Sequence, residues 1–161
     1  MTGRQNIHAT GIVLGRRGVM LRGPSGAGKS LLALALLDEW AAQGRKAQLV
    51  ADDRLEVTAD KGRLTMHAPK TIEGLVELRG RGIVSRPSVP KAPVHLIVDL
   101  VPDLVRMIEE EELVTDLLGV SVSRCPVPRA GVVDAVHQLL LIRESLRQLS
   151  TTEAPPRQNS A

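Results

Sequence analysis

The chain has 161 residues, 43% of them hydrophobic, so it is long enough for one domain with one core. It contains no Phe or Tyr and a single Trp, which argues against the aromatic stacking surfaces that bind single-stranded nucleic acid. A net charge of +3 is too small to indicate nucleic-acid binding on its own. We therefore predict a domain with a core of Leu, Val, Ile and Ala, and no nucleic acid among its partners.

Cysteine content and hydropathy bear on the compartment. The single cysteine, Cys125, excludes an internal disulfide and a multi-cysteine metal site. The N-terminal residues MTGRQNIHATG lack the apolar run of a signal peptide, and no apolar stretch has the length of a membrane span. We expect a cytoplasmic protein with no membrane partner.

The first half of the chain alternates short apolar runs with turn signals. HATGIVLG and GVMLRG, separated by GRRG, predict a hairpin of two strands. LLALALLDEWAAQG predicts a helix that ends near Gly44. AQLVADD predicts a buried strand, and RLEVTADKGRLTMHAP predicts a second hairpin.

The second half begins with a Gly- and Pro-rich region, residues 71–91, for which we expect an irregular functional loop. VHLIVDL predicts a buried strand, VPDLVRMIEEEELVTDLLG is ambiguous between helix and loop, and GVVDAVHQLLLIRESLRQL predicts a final helix. Residues 150–161 are polar and Pro-rich, which predicts a disordered tail after a single domain at 1–149. The order of elements predicts an α/β fold with a mixed sheet and added hairpins.

The segment from Leu21 to Leu32, LRGPSGAGKSLL, contains the pattern G-x-x-x-x-G-K-S between a predicted strand and a predicted helix. In such a P-loop the main-chain N–H groups point at phosphates, and the glycines allow close approach. The lysine lies along the β- and γ-phosphates, and the serine hydroxyl is a ligand of Mg²⁺. We predict that ATP and Mg²⁺ bind here through Gly23, Pro24, Ser25, Gly26, Ala27, Gly28, Lys29 and Ser30.

The phosphate-binding pattern does not identify the acceptor, because transfer to a hydroxyl also needs a positioned base and a metal. The acidic candidates are Asp52, Asp53, Glu77 and Asp99. Neighbouring side chains of an extended strand face opposite sides, so Asp52 and Asp53 cannot both face one phosphate without a bend. Asp99 lies at the end of the predicted buried strand VHLIVDL, as the metal-binding aspartate of ordinary P-loop NTPases does. The residues alone leave the assignment open.

Four segments together resemble the catalytic domain of HPr kinase/phosphorylase, the bacterial enzyme that phosphorylates a serine of the phosphocarrier protein HPr. They are His8 ahead of the P-loop, the P-loop GPSGAGKS itself, LVADD, and VELRGRGIVS at Val76 to Ser85. The likeness covers roughly residues 5–145 and resembles the short form of alphaproteobacteria, with the catalytic domain only. It implies a fold similar to that of HPr kinase and PEP carboxykinase, and a homo-oligomer, specifically a hexamer.

The resemblance also implies roles for individual residues. Asp53 would accept the proton of the acceptor serine and return a proton in the reverse reaction, attack of phosphate on phosphoserine. Glu77 would join Ser30 as a ligand of Mg²⁺, and His8 would act near Asp53. Arg106, ahead of a Glu-rich stretch, aligns loosely with a catalytic arginine that would stabilise charge on the transferring group.

One departure concerns the family's Pro-Val-Arg-Pro-Gly-Arg loop, which is tied to dephosphorylation and here reads CPVPRAGVVD. Arg129 matches one arginine of that loop, and a second arginine is missing. Phosphorylase activity and the role of Arg129 therefore stay open.

Two functions of other classes remain as alternatives to an HPr kinase. The altered PVPRAG segment favours an ATP-sensing module that binds a partner without transferring phosphate. Asp99 favours a small-molecule kinase in which this carboxylate, rather than Glu77, binds the metal.

Overall fold

The computed structural model describes residues 3–70 and 73–152, which form twelve strands, two α-helices and a 3-10 turn at Glu110–Leu113. The helices are α1, Lys29–Ala42, and α2, Ala135–Thr152. The strands are β1 Gly3–Ile7, β2 Ala9–Leu14, β3 Arg17–Arg22, β4 Ala47–Ala51, β5 Leu55–Asp60, β6 Arg63–His67, β7 Leu75–Leu78, β8 Gly82–Ser85, β9 Lys91–Pro93, β10 Leu96–Val101, β11 Val114–Leu117 and β12 Val120–Pro128.

The central sheet has six strands in the order β11-β12-β10-β3-β2-β4. Its middle strands β3, β10 and β12 are parallel, whereas β2, β4 and β11 are antiparallel to their neighbours. A second, antiparallel sheet has the order β1-β5-β6-β9, and β7 and β8 form a separate hairpin. This architecture, a mixed sheet with added hairpins, agrees with the α/β fold class predicted from the sequence.

Both faces of the central sheet are buried, and alternation along each strand divides the core in two. On β3, Val19 and Leu21 belong to the cluster that packs against both helices, while Met20 belongs to the cluster under the second sheet. Leu96 and Ile97 divide in the same way on β10. Burial on both faces explains why these strands read as continuous apolar runs rather than as alternating patterns.

The two sheets approach each other closely at Gly18. A Cβ at this position would lie 1.6 Å from the Pro93 carbonyl oxygen, so no larger residue fits. The Gly18 N–H donates to His95 Nδ1 at 3.0 Å, and the His95 N–H donates to the Gly18 carbonyl at 2.9 Å. The missing side chain thus lets the second sheet contact β3.

The predicted hairpins β2–β3 and β5–β6, the strands β4 and β10 and both helices are present. The expectation of an irregular loop at 71–91 is corrected: the described part of this region contains β7, β8 and β9. The ambiguous stretch after β10 consists of a loop, the 3-10 turn and β11. Helix α2 continues to Thr152, and the remaining residues of the predicted tail, 153–161, lie outside the described part.

Candidate functional site

The glycine-rich segment forms the turn between the central strand β3 and α1. Gly26 and Gly28 have φ angles of 82° and 101°, a left-handed region that side chains disfavour. Gly28 is the residue that caps α1, and within the described ranges no side-chain hydrogen bond caps the N–H groups of its first turn. Those N–H groups are therefore available to an anion at the positive end of the helix dipole.

Lys29 is held in place by this turn. Its side chain is only 6% exposed, and its Nζ donates to the carbonyl oxygens of Gly23 at 2.7 Å and Pro24 at 3.3 Å. The same Nζ lies 3.7 Å from Asp53 Oδ1. The ammonium is thus fixed between the loop and an acid from the next strand.

Asp52 and Asp53 both face this region because the backbone bends between them. Asp53 has φ of 61°, so the extended geometry that would place the two side chains on opposite sides ends after β4. Asp52 Oδ1 accepts hydrogen bonds from Ser30 Oγ at 2.6 Å and from Thr10 Oγ1 at 3.0 Å. The backbone bend that would let Asp52 and Asp53 face the same region is therefore present, a point that the sequence alone left open.

Thr10 is a site residue that the sequence did not reveal. It is fully buried on β2, donates to Asp52, and accepts the Asp53 N–H at 3.2 Å. One hydroxyl therefore contacts both aspartates and supports the bend. The only signal in the sequence is a polar residue within an apolar strand.

The glycine-rich turn, Lys29, Ser30 and the two aspartates line one cleft of about 450 Å³, and Thr10 lies behind it. The hairpin β7–β8 forms one wall: Val76 is buried against the helical layer, and the next residue, Glu77, lines the cleft. Arg79 and Ala130 complete the wall. Glu77, Ser30 and the two aspartates therefore line the same cleft, and their roles there remain predictions.

The oxygen donors of this cleft fit Mg²⁺. They include the Ser30 hydroxyl and the carboxylates of Asp52, Asp53 and Glu77, which are hard ligands of the type this ion prefers. In the described ranges no three His, Cys, Asp or Glu side chains form a metal cage. Mg²⁺ in nucleotide-binding proteins usually keeps several water ligands and also binds phosphate oxygens. A few protein oxygen ligands are therefore enough to bind a Mg²⁺ ion that is also coordinated by a nucleotide.

His8 and Arg106 do not line this cleft. His8 is exposed just before β2 and lines a separate cleft with Arg54, His67 and Lys70. Arg106 lies on the exposed segment that follows β10. Catalytic roles for both remain predictions from the resemblance.

Asp99 lies in a different environment from the cleft. It accepts from Arg22 at 2.6 and 2.8 Å and from Arg124 at 2.6 Å, and Arg124 also contacts Glu112 at 3.0 Å. Burial would raise the pKa of the Asp99 carboxyl, but the two guanidinium groups outweigh it and hold the pKa below its usual value. An acid bonded to two arginines is poorly placed to bind metal, which argues against the small-molecule kinase.

The segment that carries Arg129 borders the phosphate-binding turn. Arg129 is exposed and its N–H donates to the Val101 carbonyl at 2.9 Å, which places the loop at the end of β10. Ala130 lines the cleft, and a Cβ at Gly28 would lie 3.8 Å from that of Ala130. The altered loop is thus adjacent to the P-loop, but the Arg129 side chain is not among the groups lining the cleft.

In this α/β domain a glycine-rich turn joins the central strand β3 to a helix, and two acids follow β4, which is separated from β3 by β2. This arrangement is typical of domains that bind phosphate at such a turn. Comparison with known families is more specific. The HPr Serine kinase C-terminal domain family matches residues 1–132, and the chain therefore belongs to this family.

Curated relatives agree with the assignment. The HPr kinase/phosphorylase of Lactobacillus acidophilus is 39% identical over 82 residues, which are 50% of this chain and 24% of that protein. The HPr kinase/phosphorylase of Bordetella pertussis is 31% identical over 119 residues, 66% of this chain and 37% of the relative. The chain therefore matches well under half the length of either relative.

A solved structure confirms the fold. The Hpr(Ser) kinase/phosphatase from Coxiella burnetii superposes with a TM-score of 0.70 at 26% identity, covering 91% of this chain and 98% of that one. The predicted family and fold class are thus confirmed.

Neither described helix combines the length and apolar character that crossing a membrane requires.

Proposed function

We propose that this chain is an ATP-dependent serine kinase domain that phosphorylates an HPr-type phosphocarrier protein. The observation that carries the proposal is the Asp53 carboxylate 3.7 Å from the Lys29 ammonium, at the mouth of the phosphate-binding turn. Asp53 is 60% exposed, so a hydroxyl of a docked protein can reach it, whereas Lys29 is buried under the loop. An accessible base beside a fixed cation is suited to the transfer of a phosphoryl group to the hydroxyl of a protein side chain.

Each residue has a distinct part in the proposed chemistry. Asp53 accepts the proton as the serine oxygen forms its bond to the γ-phosphorus and the bond to the ADP oxygen breaks. Lys29 and the free N–H groups of α1 stabilise the charge that develops on the phosphoryl oxygens. Ser30 and Glu77, with Asp52 behind Ser30, would hold Mg²⁺, which neutralises phosphate charge when bound.

Thr10 supports this arrangement without contacting the reacting atoms. Its hydroxyl bonds Asp52 and the Asp53 N–H, so it fixes the acid that faces Ser30 and the turn that presents Asp53. Holding the base in place in advance matters because a misplaced catalytic base loses most of the rate acceleration that it provides.

The test incubates the chain with Mg-ATP and purified HPr and measures phosphoserine by mass spectrometry. Asp53→Asn preserves the side-chain shape and tolerates the positive φ, yet removes the base, so we expect the rate to fall about 10²- to 10⁴-fold. Asp60→Asn, on an exposed strand end, is the matched control. Absence of phosphoserine with the unaltered chain, or an unaffected Asp53→Asn rate, would refute the kinase.

The ATP-sensing module is the second candidate, favoured by the altered segment beside Gly28. It predicts that the Asp53→Asn chain still binds ATP and still regulates its partner. We also propose phosphorolysis: an oxygen of inorganic phosphate bonds to the phosphoserine phosphorus, the bond to the serine oxygen breaks, and Asp53 gives its proton to that oxygen. The products are serine and pyrophosphate, and phosphate-dependent loss of phosphoserine measures the reaction.

The proposal includes a homo-oligomer, with the hexamer that the family resemblance implies, and a cytoplasmic location shared with the carrier. Its support is the exposure of apolar side chains after β10, where Met107 is 86% and Val105 59% exposed. Light scattering after size exclusion measures the assembly, and a monomer at micromolar concentration would exclude it.

A further inference from the structure

The end of strand β10 lies directly beside the start of the phosphate-binding turn. Strands β10 and β3 are parallel neighbours, and their register pairs Asp99 with Arg22, the last residue of β3. Arg22 is followed by Gly23, where the turn begins. Because the carboxyl ends of parallel strands meet at one edge of a sheet, Asp99 is next to the P-loop, although it is not among the described residues that line the cleft.

Two consecutive residues of β10 contact two consecutive residues at this junction. The Arg22 guanidinium donates to both carboxylate oxygens of Asp99, from Nε at 2.6 Å and from Nη2 at 2.8 Å. Such a two-bond pair fixes both the position and the orientation of an arginine. The two side chains are 26% and 16% exposed, so the pair is largely shielded from water. A Cβ at Gly23 would lie 3.0 Å from the Leu100 Cβ, so the glycine backbone packs directly on that side chain.

Gly23 in turn holds the lysine of the site. Its carbonyl oxygen accepts from the Lys29 Nζ at 2.7 Å, compared with 3.3 Å for the second bond of this ammonium, to Pro24. Arg22 and Gly23 are joined by one peptide bond, so a displaced Arg22 also displaces the carbonyl that holds Lys29. A continuous series of contacts therefore runs from Asp99 to the lysine of the phosphate-binding turn.

The second arginine that binds Asp99 serves a different part of the molecule. Arg124 on β12 donates from Nε to Asp99 Oδ2 at 2.6 Å, and its Nη1 donates to the side-chain and main-chain oxygens of Glu112, each at 3.0 Å. Glu112 belongs to the 3-10 turn at Glu110–Leu113. The two arginines thus share one carboxylate, but only Arg22 is joined directly to the P-loop through the chain.

We propose that Arg22, held by Asp99, is a positioning residue of the nucleotide site and acts through the Gly23 carbonyl on Lys29. The carboxylate at the end of β10 thus supports phosphate binding from behind the loop and does not contact the metal. The effect on affinity follows because the lysine must lie along the phosphates, and a small displacement of a binding group loses much of its contribution. The inference rests on the proposed ATP binding and is independent of transfer to the carrier.

The experiment compares Arg22→Met with Arg124→Met. Methionine keeps most of the apolar stem of arginine but removes the guanidinium, and each variant takes one partner from the same Asp99 carboxylate. Both variants should lower the urea midpoint of unfolding. We expect Arg22→Met to raise the ATP dissociation constant at least tenfold, measured by isothermal titration calorimetry on folded protein. Arg124→Met is the matched control and should change this constant less than twofold.

Amide hydrogen exchange of the free chain, followed by NMR, gives a readout that needs no ligand. Arg22→Met should speed exchange at Ala27 and Leu32, whose N–H groups donate within the loop and the first turn of α1. Arg124→Met should instead speed exchange at Glu112, whose N–H donates within the 3-10 turn. The expected change is at least fivefold in each case.

Two results would overturn the proposal. One is an ATP dissociation constant for Arg22→Met that lies within twofold of the unaltered chain, and the other is equal exchange at Ala27 in the two variants. Both measurements are made without the carrier protein. A chain that shows the expected differences but forms no phosphoserine on HPr would therefore refute the proposed kinase and leave this inference standing.

Discussion

The Lys29 ammonium and the Asp53 carboxylate lie 3.7 Å apart, yet Lys29 is 6% exposed and Asp53 is 60% exposed. The pair therefore spans the boundary between the buried loop and solvent. Asp53 reaches this position through a left-handed backbone conformation, φ 61°, two residues after the end of β4. Strain at a residue that faces a ligand cleft is typical of functional sites.

Lys29→Ala should abolish detectable ATP binding, because it removes a buried cation that the loop carbonyls hold toward the phosphates. We expect at least a tenfold rise in the ATP dissociation constant, measured by isothermal titration calorimetry. Lys70→Ala, an exposed lysine outside the cleft, should leave the constant unchanged. Unaltered ATP affinity in the Lys29 variant would reject the P-loop assignment.

Thr10→Val should lower both stability and the kinase rate. The change leaves the Asp53 N–H without its acceptor and the Asp52 carboxylate with one donor fewer, which costs about 1–3 kcal/mol. Thr10→Ser keeps the hydroxyl and should recover the rate, which separates the hydrogen bonds from the packing. Urea unfolding and the initial rate measure the two effects, and failure of serine to rescue would contradict the positioning role.

Glu77→Gln should increase the Mg²⁺ concentration needed for half-maximal activity several-fold, because an amide is a weaker ligand of Mg²⁺ than a carboxylate. Glu73→Gln changes an exposed acid that does not line the cleft and serves as the control. A magnesium titration of the phosphorylation rate distinguishes them. If both variants behave like the unaltered chain, Glu77 is not a metal ligand.

Asp99→Asn should destabilise the fold by about 3 kcal/mol at neutral pH, because two arginines lose the carboxylate that compensates them. The folded chain lowers the pKa of Asp99 below the ordinary 3.8. Its stabilising contribution is therefore complete above about pH 4 and is lost as the pH falls through the folded-state pKa.

Unfolding free energies measured from pH 7 down to pH 2.5 test this dependence. The Asp99→Asn variant should lack the part of the acid-induced loss of stability that comes from protonation of Asp99. The magnesium requirement of the folded variant should stay unchanged. A large change in that requirement, with stability preserved, would return Asp99 to the metal-binding role.

Local signals predicted the elements whose patterns do not depend on a partner. The glycine-rich turn, the Ala- and Leu-rich helix α1 and the hairpins β2–β3 and β5–β6 follow from backbone preferences of neighbouring residues. Edge strands β1 and β11 were not predicted, because their residues are mostly exposed and acquire a strand conformation only by pairing with β5 and β12.

Strand β12 was missed because Pro126 and Pro128 disfavour a sheet interior. Its pairing with β11 covers only Val120–Ser123, so both prolines lie beyond the end of β11. The Arg129 N–H points to β10, and by alternation the N positions of Pro126 and Pro128 point to the unpaired side. Proline is tolerated there because no ladder hydrogen bond is lost.

By itself, the sequence determined the phosphate-binding turn and the set of acids near it, since both are carried by residues close together in the chain. The tertiary structure alone decided which acids face the turn. A bend at Asp53, a buried hydroxyl from β2 and two arginines on β3 and β12 together direct Asp52 and Asp53 to the P-loop and hold Asp99 away from metal. Those contacts join residues 25 to 77 positions apart, and only packing of the sheet brings such groups within hydrogen-bond distance.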